Sequence, residues 1–275
     1  MKEKNKKELR KFKTGLTAFS IILFSFFFVM MFSSCAFGKK ENTVILLAGD
    51  SRSSDDYTFY KETLEKKTGA EVFIEGASGM KAEYNASEEY LKRVTQKKHD
   101  VSIWLVGGND EGSEGTIGTF SEDSALGCQG EALVEEVDIN GEYNGNSFIQ
   151  AVDYSMRKYK KMCADNYGKK APVMIYCTDL PQQRDSADSE WSKKENWERK
   201  RLAILECCEK NDIECLDLYE LCDFDMSIEP MFVAPTDKVN NHGVYYMDGL
   251  HPNPKGIDLI TDFEVMKLKE IGILE

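Results

Sequence analysis

Short apolar runs alternate with longer amphipathic segments from residue 43 to the end of the chain. Five of these runs predict buried strands, in the segments TVILLAG, AEVFIEGASG, DVSIWLVGGND, APVMIYCTDLP and IECLDLYEL. Their apolar residues mostly follow one another without a polar alternation, which favours strands covered on both faces. The pattern therefore indicates a parallel sheet with helices on each side.

Amphipathic segments between the strands predict five helices. They are YTFYKETLEKKTG, SEEYLKRVTQKKH, SFIQAVDYSMRKYKKMCADNYG, KKENWERKRLAILECCEKN and GIDLITDFEVMKLKEIG. Gly69 suits the end of the first helix, and Ser87 suits the cap of the second. Regular alternation of strand and helix predicts one α/β domain over residues 43–275, which follows a linker at residues 36–42.

One long stretch, residues 111–146, breaks this alternation. It is rich in Gly, Glu, Asp and Ser and has little periodicity. Loops of this length inside a compact domain are usually functional or mobile. We predict an insertion that covers one face of the domain and shapes a binding pocket.

The N-terminus predicts export and a membrane tether. Residues 1–13 carry seven Lys and Arg against two Glu, and the run from Gly15 to Phe32 has no charge. A basic head followed by an apolar stretch and small residues is typical of a signal peptide. The apolar run is also close to the length of a membrane span, so an uncleaved anchor remains open. The motif MFSSC resembles the lipobox of bacterial lipoproteins. This resemblance implies that residues 1–35 direct export and that Cys35 is lipidated.

Composition excludes several classes of function. The formal net charge of -13 argues against a nucleic-acid partner, because binding to phosphates requires basic surfaces. Apart from Cys35 the chain has seven cysteines, which is an odd number. None of them forms the paired CxxC spacing of a zinc knuckle. We therefore expect neither a metal nor another cofactor.

Three of the predicted strands end in small polar motifs. They are GDS after the first strand, GASG after the second and GGND after the third. Sites in an open parallel sheet form beyond the carboxyl ends of its strands, so these motifs should face one crevice. The GDS motif is either an ordinary turn or a means of exposing Ser51 as a nucleophile.

A serine nucleophile needs a base, and the chain has three histidines. His99 precedes the third strand and should lie at the opposite edge of the sheet, as a helix C-terminal cation or a solvated residue. His242 lies in a loop that could approach the crevice. His251 follows Asp248 by three residues, so Asp248 could accept a hydrogen bond from Nδ1 and leave Nε2 to take a proton from serine.

The ordered set GDS, GASG, GGND and DGLHPN resembles the four conserved blocks of the SGNH hydrolases, also called the GDSL esterase/lipase superfamily. The resemblance extends from Val44 to the final helix. It implies the SGNH hydrolase fold, a three-layer α/β/α sandwich with a flavodoxin-like, doubly wound parallel sheet of five strands.

The same resemblance implies a role for each residue of the site. Ser51 would be the nucleophile, His251 the general base and then acid, and Asp248 the group that orients His251. The backbone N–H groups of Ser51 and Gly79 and the side-chain amide of Asn109 would form the oxyanion hole. Such donors suit acyl transfer because negative charge develops on the former carbonyl oxygen.

Some features of the site remain open to other interpretations. A metal site formed by Asp248, His251 and His242 is conceivable, although the sequence offers no obvious further ligands. Arg52 stands where the family usually has Leu, and we expect it at the rim of the pocket, where it could attract an anionic group. Asp110 is expected to brace the turn after the third strand.

These observations predict a serine carboxylesterase that is tethered to the extracytoplasmic face of a bacterial membrane or secreted. Its substrate would be a small-molecule or polysaccharide ester, such as an acetylated carbohydrate, cleaved through an acyl-enzyme intermediate. One alternative is an O-acyltransferase of cell-envelope polysaccharide, in which a sugar hydroxyl replaces water. Another is a non-catalytic lipoprotein that binds a ligand with the same fold.

Overall fold

The computed structural model of the protein describes residues 42–124, 126, 134–182, 190–222, 246 and 249–275. The predicted signal or anchor segment at residues 1–35, including Cys35, lies outside these ranges, as do residues 36–41 of the predicted linker. Among the helices in the described ranges, none combines the length and apolar character needed to cross a bilayer.

Five parallel strands form one sheet in the order β2-β1-β3-β4-β5. Their bounds are β1 Val44–Gly49, β2 Glu71–Ile74, β3 Val101–Leu105, β4 Val173–Cys177 and β5 Glu214–Leu216. The prediction of a flavodoxin-like, doubly wound parallel sheet is confirmed. The order of the strands reverses between β1 and β3, and ligands of such sheets bind beyond the strand ends at this point.

The helices occupy the segments between the strands, as their periodicity predicts. In the described residues they are α1 Thr58–Thr68, α2 Ala82–Asn85, α3 Glu88–Gln96, α4 Glu114–Ile117, α5 Phe148–Tyr167, α6 Lys194–Asn211, α7 Leu218–Cys222 and α8 Pro254–Glu270. Short 3₁₀ turns cover Ser51–Ser53, Asp55–Tyr57, Gly168–Lys170 and Glu190–Ser192. Ser87 caps α3 as expected, since its hydroxyl accepts the N–H of Tyr90 at 3.3 Å.

The segment IECLDLYEL is a strand in its first half only. β5 ends at Leu216, and α7 begins two residues later. Asp217 accepts the N–H of Glu220 at 3.4 Å, and the hydroxyl of Thr178 accepts the N–H of Tyr219 at 3.0 Å. These two side chains satisfy the first N–H groups of α7 and so favour a helix where apolar content alone suggests a longer strand.

Each face of the sheet has its own apolar core. Along β1, Ile45 and Leu47 face one side, whereas Leu46 and Ala48 face the other. Helices α1 and α8 cover the first side, and helices α3, α5 and α6 cover the second. The two cores explain why the strands are apolar at nearly every position.

The insertion at residues 111–146 packs on the second face, at least where it is described. Ile117, Leu126 and Val137 are buried there in the same cluster as α5. The guanidinium of Arg157, on α5, donates to the Val137 carbonyl at 2.8 Å. The insertion thus adds to the core of the domain although its sequence has little periodicity.

Helix α8 carries a buried acid in the core of the first face. The Glu264 side chain is fully buried, and the Tyr60 hydroxyl donates to its Oε1. Its Oε2 finds no hydrogen-bond partner in the described residues. Burial raises the pKa of Glu264 from 4.5 to about 8, although Tyr60 and Lys67 oppose the shift. The carboxyl is therefore mostly protonated at pH 7 in the folded protein.

Glu264→Gln should reduce the dependence of stability on pH. With a folded pKa of about 8 and an unfolded pKa of 4.5, Glu264 is protonated in both states below pH 4.5. Between those two values only the unfolded chain ionises, so stability falls as pH rises, by on the order of a few kcal/mol. Urea unfolding should show that the unfolding free energy of the variant, relative to that of the native protein, is higher at pH 9 than at pH 5.

Glu270→Gln is the matched control, because Glu270 is exposed near the end of the same helix. It should shift the unfolding free energy by a similar small amount at both pH values. An equal gain for both variants at pH 9 would contradict the assignment to Glu264.

Candidate active site

The first strand ends at a glycine because it runs very close to its neighbour. Gly49 has a φ of +125°, and a Cβ at this position would lie 1.9 Å from the Leu105 carbonyl oxygen of β3. The next residue, Asp50, donates its N–H to the same carbonyl at 3.0 Å. Only glycine allows β1 and β3 to stay this close where the strand order reverses.

Ser51 begins a tight turn directly after that strand. Asp50 caps the 3₁₀ turn Ser51–Ser53, since its Oδ1 accepts the N–H of Arg52 at 3.0 Å. Ser54 closes the turn by donating its N–H and its hydroxyl to the Ser51 carbonyl, at 3.1 and 2.8 Å. Ser51 itself is only 5% exposed. Hydrogen bonds made by the residues before and after Ser51 determine the position of its backbone.

The structure brings Ser51 and His251 together across 200 residues of chain. Ser51 Oγ lies 2.9 Å from His251 Nε2. At this distance the hydroxyl donates to the ring in the tautomer that carries its proton on Nδ1. A nucleophile and a base need this contact for proton transfer.

Local structure before α8 holds His251 in place. Asn253 caps the helix, because its Oδ1 accepts the N–H groups of Lys255 and Gly256, each at 2.9 Å. Pro252 pairs with Tyr246 in an antiparallel bridge. His251 therefore lies directly before a bridged residue and a capped helix start, which limits its freedom.

Asp248 and His242 lie outside the described residues. The role of Asp248 in orienting His251 stays a prediction. The alternative metal site would need both residues together with His251. Within the described ranges, no group of three or more His, Cys, Asp or Glu side chains is placed to hold a metal ion.

The second strand ends against the turn of Ser51. The Gly76 N–H donates to the Ser53 carbonyl at 2.9 Å, and the Ala77 N–H donates to the Gly49 carbonyl at 3.0 Å. A Cβ on Gly76 would lie 2.1 Å from the Ser53 oxygen. Gly79 follows in the left-handed region with a φ of +74° and is exposed. The predicted oxyanion donor Gly79 thus belongs to a loop attached to the turn of Ser51.

Asn109, the other predicted oxyanion donor, contacts the Gly79 loop. Its side-chain amide donates to the Met80 carbonyl at 3.0 Å. The neighbouring Asp110 accepts the N–H of Ala82 at 3.0 Å and donates its own N–H to Gly107 at 3.1 Å. Asp110 therefore braces its turn, as expected, and also links that turn to the Gly79 loop. Burial raises the pKa of Asp110 to about 6, against the opposing hydrogen bond from Ala82.

The expectation that Arg52 lines the rim of the pocket is wrong. Arg52 is only 1% exposed and points into the domain. Its Nε and Nη2 donate to the two carboxylate oxygens of Asp50 at 2.9 and 2.5 Å, and its Nη1 donates to Asp179 at 2.5 Å. A guanidinium paired with two buried carboxylates is not available to attract an anionic ligand.

Sequence reasoning missed two residues that lie behind the site. Asp179 follows β4 and is fully buried, and Lys200 of α6 is equally buried and contacts it. The signal for Asp179 was present, because it is a polar residue at the carboxyl end of a strand, like the GDS and GGND motifs. Lys200 has no such signal, since one lysine in a highly charged helix usually faces water.

His99 has the structural role expected of it, but it is neither solvated nor a cation. Its Nε2 lies 2.6 Å from the Tyr159 hydroxyl, and its Nδ1 lies 2.5 Å from the Lys97 carbonyl. Burial lowers the pKa of His99, which favours the neutral ring. It lies just before β3, at the end of the sheet away from Ser51.

Comparison with protein families gives one match over most of the chain. Residues 46–259 match the GDSL-like Lipase/Acylhydrolase family, a range that includes Ser51, Gly79, Asn109 and His251. The comparison with curated protein sequences finds no significant match.

Solved structures support the same fold at low sequence identity. A protein of Parabacteroides merdae ATCC 43184 assigned to the GDSL-like lipases has a TM-score of 0.54 at 16% identity, covering 84% of this chain and 97% of its own. Est24, a carbohydrate acetylesterase from Sinorhizobium meliloti, has a TM-score of 0.52 at 11% identity, covering 85% of this chain and 100% of its own. At these identities the likeness establishes the fold alone.

Gly76→Ala should destabilise the protein, because its Cβ would meet the backbone of the Ser51 turn. Overpacking of this kind costs about 1–3 kcal/mol, and the turn cannot move without disturbing Ser51. Urea unfolding should show the loss, and esterase activity per folded molecule should fall with it. Gly115→Ala is the control, since a Cβ there meets no atom within 4 Å. Equal stability of the two variants would contradict the close approach.

Proposed function

Since the chain belongs to the GDSL-like lipase/acylhydrolase family and is an ester-hydrolysing enzyme, we propose that it removes short O-acyl groups, acetyl esters of carbohydrate in particular. The observation that carries this proposal is the contact of 2.9 Å between Ser51 Oγ and His251 Nε2. It lies beyond the strand ends of a doubly wound sheet, where ligands of such folds bind.

In the proposed mechanism, Ser51 attacks the ester carbonyl while His251 takes the proton of its hydroxyl. The new bond joins Oγ to the acyl carbon, and the carbonyl electrons move to oxygen. His251 then gives the proton to the departing alcohol, which leaves an acyl-enzyme on Ser51. A water molecule, activated by the same ring, releases the acid and restores the serine.

The oxyanion of this mechanism would be stabilised by donors on three strand ends. Ser51 follows β1, Gly79 lies in the loop after β2, and Asn109 follows β3. Hydrogen bonds among these segments hold their relative positions before substrate arrives. Preorganised donors matter because they need no rearrangement when charge develops, and removing one typically lowers kcat by about 100- to 1,000-fold.

Two features favour a small acyl group on a carbohydrate. Ser51 is 5% exposed, and a small acyl group approaches a largely buried hydroxyl more readily than a long chain does. The structural neighbour Est24 is a carbohydrate acetylesterase, which supports the substrate class by analogy.

We also propose that the enzyme works on the extracytoplasmic face of a bacterial membrane. The support comes from the sequence, in the basic head, the uncharged run from Gly15 to Phe32 and the MFSSC motif. An enzyme held at this surface would meet acylated polymers of the cell envelope or its surroundings.

Ser51→Ala should abolish hydrolysis of p-nitrophenyl acetate by the full chain in mild detergent. Without the hydroxyl no acyl-enzyme forms, so the rate should fall to that of buffer. Ser113→Ala, the same substitution in the insertion, should keep the native rate. The native enzyme should have a kcat/KM for acetyl at least about 10-fold above that for octanoyl. Equal rates for native protein and Ser51→Ala would contradict catalysis by this serine.

The same assay with acetylated glycans distinguishes hydrolysis from transfer. We expect free acetate and deacetylated glycan, measured by mass spectrometry. Acetate moved onto an added acceptor sugar would identify an acyltransferase instead. A preference for octanoyl over acetyl would contradict the proposed small acyl group.

Cys35→Ser should prevent lipid attachment. In bacteria fed an alkyne-tagged fatty acid, the native protein should carry the tag in the membrane fraction, whereas the variant should not. Cys215→Ser should keep the tag, since it changes a cysteine within β5. Native protein that remains in the membrane without the tag would contradict lipidation and indicate an uncleaved anchor.

A further inference from the structure

Four charged side chains form a closed network beneath the predicted site. Asp50, Arg52, Asp179 and Lys200 are each 0–1% exposed. Two are acids and two are bases, so their charges balance. Burying charges away from water is unfavourable unless each is paired and hydrogen-bonded, and here each has several partners.

Asp50 joins the ends of β1 and β3. Its Oδ1 accepts from the backbone N–H and Nε of Arg52, and its Oδ2 accepts from Nη2 of the same residue. Oδ2 also accepts the backbone N–H of Gly108 at 2.9 Å. A Cβ on Gly108 would lie 2.8 Å from this oxygen, so the turn after β3 rests directly on the carboxylate.

Asp179 connects Arg52 to Lys200. Its Oδ1 accepts from Arg52 Nη1 and from the Leu180 N–H, at 2.5 and 3.0 Å. Its Oδ2 accepts from Lys200 Nζ and from the Gln182 amide. Burial would raise the pKa of Asp179, but Arg52 and Lys200 together hold it below its usual value. Asp179 is therefore an anion in the folded protein.

Lys200 returns to the turn after β3. Its Nζ donates to the Gly107 carbonyl at 2.9 Å and to the Asp110 carbonyl at 3.2 Å, in addition to Asp179. An ammonium group has three N–H donors, and these three acceptors use all of them. Lys200 thus links a buried ion pair to the backbone of a catalytic-site turn.

The network flanks both predicted catalytic groups in the sequence. Ser51 lies between Asp50 and Arg52, which are both members. Asn109 lies between Gly108 and Asp110. The Asp50 carboxylate accepts the Gly108 N–H, and Lys200 donates to the Asp110 carbonyl. The same set of charges therefore holds the backbone on either side of the nucleophile and on either side of the oxyanion donor.

We propose that Lys200 is a positioning residue, which acts through Asp179 and the backbone around Asn109 to hold the oxyanion donor at a fixed distance from the nucleophile. It does not touch the substrate. Its effect is on kcat rather than KM, because oxyanion donors act on the charge that develops in the transition state. The catalytic part of this inference rests on the proposed function.

Lys200→Met tests the inference, with Lys194→Met as its matched control. Lys194 is the first residue of the same helix and is exposed, whereas Lys200 is buried. On p-nitrophenyl acetate, Lys200→Met should lower kcat per folded molecule by about 10- to 100-fold, with KM within about 3-fold of native, since small misplacements have effects of this size. Lys194→Met should match the native enzyme.

A charge-balanced variant separates positioning from stability. Asp179→Asn/Lys200→Met removes one charge of each sign and leaves Asp50 paired with Arg52. It should recover much of the unfolding free energy lost by Lys200→Met. However, kcat should remain low because no ammonium group donates to the carbonyls of Gly107 and Asp110. Full recovery of kcat together with stability would overturn the inference.

The Asn109→Ala background tests the route of the effect. If Lys200 acts through Asn109, then Lys200→Met should lower kcat by less than about 3-fold once Asn109 is alanine. If the fold losses in kcat from Lys200→Met and Asn109→Ala simply multiply in the double variant, the inference would be overturned.

A structural measurement keeps the inference separate from the proposed function. If native protein and Ser51→Ala hydrolyse esters equally slowly, the proposed function fails. Crystal structures of the native protein and Asp179→Asn/Lys200→Met still report the distance between Asn109 Nδ2 and Ser51 Oγ. The inference expects this distance to change, and an unchanged distance would overturn it.

Discussion

The ion pair between Asp50 and Arg52 is the interaction on which the site depends. Arg52 immediately follows Ser51 and is almost fully buried, so its charge must be balanced inside the protein. Asp50 supplies one counter-charge and also accepts the Gly108 N–H, which joins the ends of β1 and β3. Removal of one member of such a buried pair typically costs about 3–5 kcal/mol, because the other is left uncompensated. Stability and site geometry are therefore coupled in this fold.

Close backbone contacts reinforce the same constraint. Gly49 and Gly76 lie where a Cβ would overlap a neighbouring carbonyl, at 1.9 and 2.1 Å. The ends of β1, β2 and β3 can therefore approach one another more closely than strands bearing side chains allow. Backbone hydrogen bonds then hold these ends together, so Ser51 is presented by a rigid turn rather than by a loop. Preorganisation of this kind suits a reaction whose main requirement is fixed donors around a developing charge.

Much of the fold and part of the site could be predicted from the chain alone. The five strands and five long helices follow from apolar periodicity, since burial on one or both faces dictates where apolar residues occur. The structure places Ser51 near His251, as the motifs suggested. The interpretation of Arg52 was wrong because a charged residue next to a predicted nucleophile suggests exposure, and only its pairing with Asp50 and Asp179 permits burial. The split of the fifth strand depended on Asp217 and Thr178, which cap α7 through one local and one tertiary contact.

The sequence by itself determined the order of strands and helices and the polar motifs at three strand ends, because local patterns record which residues face the core. It also carried the family motifs around Ser51 and His251. Only the tertiary structure decided where the buried charges meet, since Asp179 reaches Arg52 from 127 residues away and Lys200 in turn pairs with Asp179. Ion pairing over such separations depends on three-dimensional distance and burial, and neither leaves a periodic pattern along the chain.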